Sequence, residues 1–415
     1  MTDRRAGVLW TIGPGLLVAA AGIGAGDIVS ATMAASNHGL TLLWAVALAA
    51  FLKAVLNEGI ARWQLATDTT ALEGWCLHLP VWVRAYFAAY LVLWTVSVSA
   101  ALTSACGLGM ATLTAGAIPR PWGAVLHAVA GGTLVAIGGF AGFERVMKVL
   151  IATMFVAILA CAALTMPDPG AVLQGLFVPG VPAGGTTSVL SVLGGIGGSI
   201  AMLAYNYWLR EERMAGSQWL RFVRLDIAVA YVFTALFGMA VMIVATQAFH
   251  VPGIAITNTE AVTRMAETLG ATIGPLGFYA YAIGFWAAVF ASLLGVWQSL
   301  PYLFADFYGL LRRYPRESRA RLTAVTSAPY RTALLFISLV AIPFAFVDQP
   351  LFMIRTFTIV GSLFIPFLAG TLLYMNNRLM PADGGVPRNS RVTNGVLVLA
   401  MLTFAAVGAA EAGWW

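Results

Sequence analysis

Residues 13–38 read GPGLLVAAAGIGAGDIVSATMAASNH, an apolar run that is interrupted by glycines and then carries one acidic residue, Asp27. A helix that crosses a bilayer needs about 20 mainly apolar residues, and this run is long enough. Glycine tolerates irregular backbone, and a carboxylate inside a bilayer costs about 2.5–3.5 kcal/mol unless a partner compensates it. The stretch therefore predicts a transmembrane helix that is broken near Gly22 to Asp27.

The rest of the chain has the composition of a protein that lies mostly within a membrane. Of its 415 residues, 60% are hydrophobic and only 10% are charged, whereas a soluble domain carries about 25% charged residues. We predict an all-α, polytopic protein with a single transmembrane domain of about eleven helices. The predicted spans lie near residues 9–35, 39–63, 82–112, 121–141, 145–166, 185–209, 219–248, 273–304, 329–347, 350–375 and 393–413.

The distribution of basic residues predicts how the chain is oriented. If Arg4 and Arg5 are cytoplasmic, nearly all of the 23 Lys and Arg residues fall on the same side. The residues left on the outer side are Arg120, Arg264 and Arg355. Cytoplasmic loops are enriched in Lys and Arg, so the N-terminus is expected inside, and an odd number of spans places Trp414 and Trp415 outside. No cleavable signal pattern precedes the first span, and the simplest location is a bacterial inner (plasma) membrane.

A second glycine-rich interruption lies five spans after the first, where residues 194–199 read GGIGGS. Because five is odd, the two halves of the chain would cross the membrane in opposite directions. Interrupted helices at matching positions of inverted halves point to the binding site of a transporter, although glycines can also serve close helix packing alone. We predict inverted repeats over residues 9–166 and 185–375, followed by an extra helix over 393–413.

Asp27 is the most informative candidate for a binding residue. A carboxylate beside an unwound turn can bind a cation together with freed backbone carbonyls. It can also cap the second half-helix, where the helix dipole favours an acid, and both roles can hold together. Gly24 and Gly26 flank it and are predicted to belong to the same site.

Polar residues after the second interruption are the other candidates. Tyr205 offers a hydroxyl and Asn206 an amide oxygen, and polar groups inside a membrane need partners. Met202 can give a thioether to a transition metal, although a Met in an apolar helix is more often part of the core. Lys53 is expected to extend its amine towards the aqueous side. Weaker candidates are Glu58, Asp226, His127, Gln298 and Thr358.

No motif supports an enzyme or an ATP-driven pump. Walker, GxSxG and HExxH patterns are absent from the sequence. Cys76, Cys106 and Cys161 have neither zinc-site nor disulfide-framework spacing. We expect no cofactor and no nucleic-acid partner, since the basic residues lie in short loops between apolar spans; the expected partners are the lipid bilayer and a transported substrate.

The first span, with its Gly13-Pro14-Gly15 frame and the sequence GIGAGDIVSATMAASNHGLTLLW over residues 22–44, resembles the Nramp family of divalent-metal transporters. Weaker similarity continues along the chain, for example at Ile365-Pro366-Phe367. The resemblance implies a LeuT-like inverted repeat of five plus five helices and one extra helix, with helices one and six broken. It also implies alternating-access transport of a divalent cation.

The metal-site motifs of that family are altered in this chain. Its first-span Asp-Pro-Gly-Asn corresponds to residues 24–27, which read GAGD, so the carboxylate has moved to Asp27. Its sixth-span Met-Pro-His-Asn corresponds to residues 203–206 if Asn206 is matched, which places Leu203 at the Met position; matching Gly198 instead places Met202 there. Asp27, Asn206 and Met202 are the metal ligands that this comparison implies.

The sequence leaves the transported substrate open, both in the type of metal ion and in whether a metal is transported at all. Oxygen ligands alone suit magnesium or manganese, whereas an inward Met202 favours manganese or iron. Acidic residues in the third span carry protons in typical family members, and this chain has none between Glu73 and Glu144. The alternatives are a transporter of a small organic solute or other cation, and a membrane sensor or partner protein without transport.

Overall fold

The computed structural model describes residues 14–249, 261–381 and 385–411, nearly all of them helical, and no β-strand occurs within these ranges. Arg4, Arg5, Gly13, Trp414 and Trp415, which entered the predictions above, lie outside the described residues. The helices, in chain order, are α1 (Pro14–Gly22), α2 (Ala25–His38), α3 (Leu43–Thr67), α4 (Ala71–His78), α5 (Val81–Leu113), α6 (Arg120–Leu164), α7 (Pro169–Phe177), α8 (Thr186–Gly195), α9 (Ala204–Glu211), α10 (Leu220–Phe249), α11 (Ala261–Ile273), α12 (Pro275–Leu311), α13 (Arg316–Leu322), α14 (Ala328–Val340), α15 (Ile342–Ala345), α16 (Pro350–Tyr374) and α17 (Arg391–Glu411). Short 3₁₀ helices cover Gly39–Leu42, Ile200–Leu203 and Ser217–Trp219, and a π-helical turn covers Met375–Leu379.

Eight helical segments of the described chain are long and apolar enough to cross a membrane. Two of these, Ala25–Thr67 with 43 residues and Arg120–Leu164 with 45 residues, would each extend about 65 Å, roughly twice the hydrocarbon thickness of a bilayer. Left-handed glycines divide both: Gly39 (φ 58°) separates α2 from α3, and Gly139 (φ 55°) interrupts α6. With α17 as a shorter apolar helix, the predicted architecture of about eleven crossings is confirmed.

The centre of the molecule is occupied by α12, which buries residues along almost its whole length. It packs against α5, α6, α11 and α14 and also contacts α1. The outer surface carries large apolar side chains such as Ile137, Val156 and Leu335, as helices that face lipid require. Arginines gather at one end of the helices, at the ends of α3 and α9, the start of α10 and in α13; we call this the arginine-rich end.

Two of the crossings are broken, as the glycines predict. The first break separates α1 from α2 at Ile23 and Gly24, and the second separates α8 from α9 over residues 196–203. Gly197 (φ 86°) and Gly198 (φ 73°) adopt left-handed backbone there, a conformation that glycine reaches without a steric penalty. These are the first and sixth crossings, while the predicted boundaries of the two repeats stay a prediction.

Candidate functional site

The two breaks meet each other in the interior of the protein. A Cβ placed on Gly198 would lie only 3.0 Å from the Cα of Gly22, so the close approach depends on the absence of side chains. The backbone N–H of Gly197 donates a hydrogen bond of 2.8 Å to Oδ1 of Asp27. One carboxylate therefore connects the two interrupted helices.

Asp27 is almost fully buried, with 1% of its surface exposed, and both of its oxygens accept backbone hydrogen bonds. Oδ2 accepts from the N–H of Gly24 at 3.0 Å, which places Asp27 in the first turn of α2 as a capping residue. The positive end of the helix dipole favours a carboxylate at this position. The capping role is therefore present, together with a contact to the second break.

A cavity of about 20 Å³ lies beside Asp27, and glycines of both breaks contribute to its wall. Gly24 and Gly26, two of the predicted site residues, line it, and its other polar side chains are those of Ser199, Ser292 and Thr358. A cavity needs about 10–15 Å³ to hold one water molecule. This cavity therefore accommodates one water molecule or one small ion.

A second cavity, of about 440 Å³, shares Thr358 with the first and extends towards the end of α2 at His38. Its polar wall includes Ser30, Asn37 and Ser191, and His38 Nε2 lies 3.1 Å from Ser188 Oγ across it. It lies away from the arginine-rich end. The two cavities are neighbours, because Thr358 lines both of them.

Lys53 is the functional candidate that sequence reasoning placed wrongly. Its ammonium group is buried and donates hydrogen bonds to the carbonyl oxygens of Gly194, at 3.1 Å, and Ile196. It also lies 5.4 Å from the ring centre of Phe404, and its charge interacts with that of Asp27. The expectation that the amine extends to the aqueous side is wrong, because ten residues of α3, about 15 Å, lie between Lys53 and the nearer helix end. This distance from both ends of α3 could have indicated from the sequence that the Lys53 amine is buried, although not which groups it binds.

The structure does not bring Asn206 and Tyr205 to Asp27. Asn206 Oδ1 accepts a hydrogen bond from the N–H of Ala71 at 3.0 Å, and its amide nitrogen donates to the backbone of α3. The Tyr205 hydroxyl donates to Asp226 at 2.8 Å. The second break meets Asp27 through the backbone of Gly197, whereas α9, which carries Tyr205 and Asn206, begins only at Ala204.

Met202 and Leu203 were alternatives for the Met position of the resembled motif. Both lie in the 3₁₀ helix Ile200–Leu203, both are buried, and neither belongs to the wall of the cavity beside Asp27. The roles of Met202, Tyr205 and Asn206 as ligands stay predictions, without a contact to Asp27 among the described residues.

A buried network of charges joins four helices at the arginine-rich end. Glu73 of α4 accepts hydrogen bonds from Arg210 of α9 and Arg319 of α13, and Arg319 also donates to Asp306 of α12 at 3.1 Å. Asp306 in turn accepts from the Tyr207 hydroxyl at 2.9 Å. Burial alone would raise the pKa of Glu73, but Arg210 and the hydrogen bonds to this carboxylate hold it below its ordinary value of 4.5. We call this set the ionic network.

Other polar candidates from the sequence are engaged in packing. His127 contacts the carbonyl of Gly123 through Nδ1 and accepts a hydrogen bond from the Trp286 indole at Nε2, each at 2.7 Å. Gln298 accepts from the Trp208 indole at 2.7 Å. Within the described residues, no group of three or more His, Cys, Asp or Glu side chains is arranged to hold a metal ion.

The paired helix breaks around a buried carboxylate define a class, the multi-pass membrane proteins with a LeuT-like fold. The solved manganese transporter of Eremococcus coleocola shares this fold, with a TM-score of 0.72 and 14% identity over 99% of this chain and 88% of that one. The solved structure of MhsT in complex with L-phenylalanine is more distant, with a TM-score of 0.57 and 17% identity over 95% of this chain and 97% of that one.

A family model described as natural resistance-associated macrophage protein-like matches residues 15–411, and the chain therefore belongs to the Nramp family. The divalent metal cation transporter MntH of Chromohalobacter salexigens is 29% identical over 266 residues, which are 59% of this chain and 58% of that protein. The chain spans less than two thirds of the length of this and other curated relatives.

Proposed function

We propose that the chain is a secondary transporter that moves a divalent metal cation, of magnesium or manganese type, through the site at Asp27 by alternating access. The observation that carries this proposal is the meeting of two broken helices around one buried carboxylate and a cavity of about 20 Å³. Its size suits one ion, and its polar side chains, those of Asp27, Ser199, Ser292 and Thr358, offer only oxygen, the ligand type that magnesium and manganese prefer. The names of the relatives support the same class of cargo.

Alternating access requires that the site open to one side while the other is closed. The larger cavity near His38 provides the open side, and the ionic network supports closure of the arginine-rich end. We propose that this end is cytoplasmic, because cytoplasmic loops are enriched in Lys and Arg, and that the N-terminus lies on the same side. The location that we propose is an inner (plasma) membrane. We infer that the structure represents an outward-facing state, in which the larger cavity near His38 opens to the outer side of the membrane.

Replacing Asp27 tests the site. The variant Asp27→Asn keeps the size of the side chain but removes the charge, and we expect its affinity for Mg²⁺ and Mn²⁺ in calorimetry to fall at least a hundredfold; Asp27→Ala should abolish binding. The matched control is Asp168→Asn, since Asp168 also caps a helix, α7, but is exposed and remote. Undiminished binding by a folded Asp27→Asn variant would remove Asp27 from the site.

The size of the second cavity favours one alternative, transport of a small organic solute. A volume of about 440 Å³ lies within the usual range of small-molecule sites, whereas the cavity beside Asp27 is far smaller. Uptake into proteoliposomes from a panel of organic cations, measured beside Mn²⁺ and Mg²⁺, separates the two functions. Saturable uptake of an organic solute without metal uptake would replace the first proposal, and a protein that binds ions but moves none would be a sensor.

A further inference from the structure

We propose that Lys53 is a tethered cation that competes with the transported ion for the carbonyl oxygens of the second break, and so sets the affinity of the site for divalent ions. This inference rests on the proposed transport function. It is based on the position of the Lys53 ammonium group, which binds the carbonyl oxygens of Gly194 and Ile196. A cation bound beside Asp27 would need the same oxygens as ligands.

The contacts of Lys53 are those of a cation ligated by a helix end. Gly194 and Ile196, whose carbonyls accept from the ammonium group, lie at the C-terminal end of α8, where carbonyls lack helical partners and the dipole is negative. Asp27 binds the same segment from its other side, through the N–H of Gly197. The ammonium and the carboxylate therefore hold the unwound segment between them.

The charge balance explains why this arrangement opposes a divalent ion. Asp27 and Lys53 carry one negative and one positive charge in a buried site, so the pair is neutral. A divalent ion that entered with the ammonium in place would add two uncompensated charges, which a buried environment disfavours strongly. Binding of the ion therefore requires the ammonium to leave its carbonyls.

Asn57 provides a second position for the displaced ammonium. It lies four residues after Lys53, and residues at this spacing are neighbours on one face of a helix. Asn57 is fully buried, and neither atom of its amide has a hydrogen-bond partner among the described residues. An unpaired buried amide is unfavourable, so an ammonium that moves to its oxygen gains a partner there. Lys53 thus has one resting position for the empty site and another for the loaded site.

The test is calorimetry of the full chain in detergent with Mn²⁺ and Mg²⁺, combined with uptake into proteoliposomes. We expect Lys53→Met to bind Mn²⁺ at least tenfold more tightly than the wild type. Lys53→Gln is the second variant, because its amide can still donate to Gly194 but carries no charge, and it should behave in the same way. The control is Lys148→Met, which removes the chain's other lysine from a partly exposed pair with Glu144 and should change affinity less than twofold.

A double-mutant cycle tests the second position. Asn57→Leu should weaken Mn²⁺ binding at least fivefold when Lys53 is present, and should have no effect on binding in the Lys53→Met background. Unchanged or weaker binding by folded Lys53→Met and Lys53→Gln variants, with metal uptake by the wild type, overturns this inference alone. Absence of binding and uptake in the wild type and in both variants overturns the proposed function and the inference with it.

Discussion

The ionic network at the arginine-rich end permits a quantitative prediction for Glu73→Gln. Glu73 and Arg319 are almost fully buried, so their charge-assisted hydrogen bond contributes about 1.5–3 kcal/mol. Arg210 is 30% exposed, and its pair with Glu73 contributes about 0.2–1 kcal/mol after screening by solvent. If opening of this end breaks both pairs, the substitution lowers the free energy of opening by about 2–4 kcal/mol, a factor of roughly 30 to 700 in the equilibrium.

Hydrogen–deuterium exchange measures this opening directly. Local opening governs the exchange of protected amides, so the amides of α4 and α13 should exchange about 30 to 700 times faster in Glu73→Gln than in the wild type. The control is Asp68→Asn, which breaks the pair between Asp68 and Arg316, each 54% exposed, and should change exchange less than about fivefold. An effect of Glu73→Gln no larger than that of the control would refute the assignment of this network as the closure.

The same network has a defined dependence on pH. The pKa of Glu73 is depressed in the folded protein by Arg210 and Arg319 despite its burial, so protonation favours the opened state, in which this carboxylate returns to its ordinary value of 4.5. The stabilisation is fully present above that value and is lost as the pH falls below it through the depressed pKa. The free energy of opening in the wild type should therefore stay constant from pH 7 to about 5 and decrease below, and Glu73→Gln should remove this dependence.

Two further substitutions test the packing of the site and the role of a buried histidine. Gly195→Ala would place a Cβ 2.0 Å from Ser30 Oγ, so we expect loss of binding and a lower melting temperature, both restored in part by Ser30→Gly. The control is Gly142→Ala, which has open space around its Cβ and should be neutral. An equally neutral Gly195→Ala would refute the close approach of the two helices. His127→Gln should lower the free energy of unfolding by about 1–2 kcal/mol, because the hydrogen bond from the Trp286 indole is lost. The pH dependence of metal uptake should stay unchanged in this variant. A changed pH dependence would indicate that His127 carries a proton.

The Lys53 and Asp27 pair changes how the altered motifs of this chain are understood. Compared with the motif it resembles, the first break has moved its carboxylate to Asp27. Both oxygens of this carboxylate already accept hydrogen bonds from backbone N–H groups, and the neighbouring carbonyl oxygen of Ile196 accepts from Lys53. Under the proposed function, a divalent ion binds at this site only if these contacts rearrange. The variants of Lys53 therefore bear on the choice of cargo as well as on affinity.

The architecture and the central residue of the candidate site could both be predicted from the sequence. Apolar run lengths predicted about eleven crossings because the thickness of a bilayer sets the length of a spanning helix. The clusters at Gly22–Gly26 and Gly194–Gly198 predicted the two broken helices, because glycine permits the left-handed backbone found at Gly197 and Gly198. The carboxylate directly after the first cluster then indicated Asp27.

Which groups contact Asp27 depends on how the helices pack in three dimensions. Asn206 and Tyr205 follow the second break closely in sequence, yet their polar atoms bind Ala71 and Asp226. Their direction could not be predicted from the sequence, since the chain between α8 and α9 is not a regular α-helix with a fixed number of residues per turn. Lys53 comes from a different helix and reaches the second break across 141 residues of sequence. Contacts of this kind depend on how helices pack in space, and no spacing along the chain encodes them.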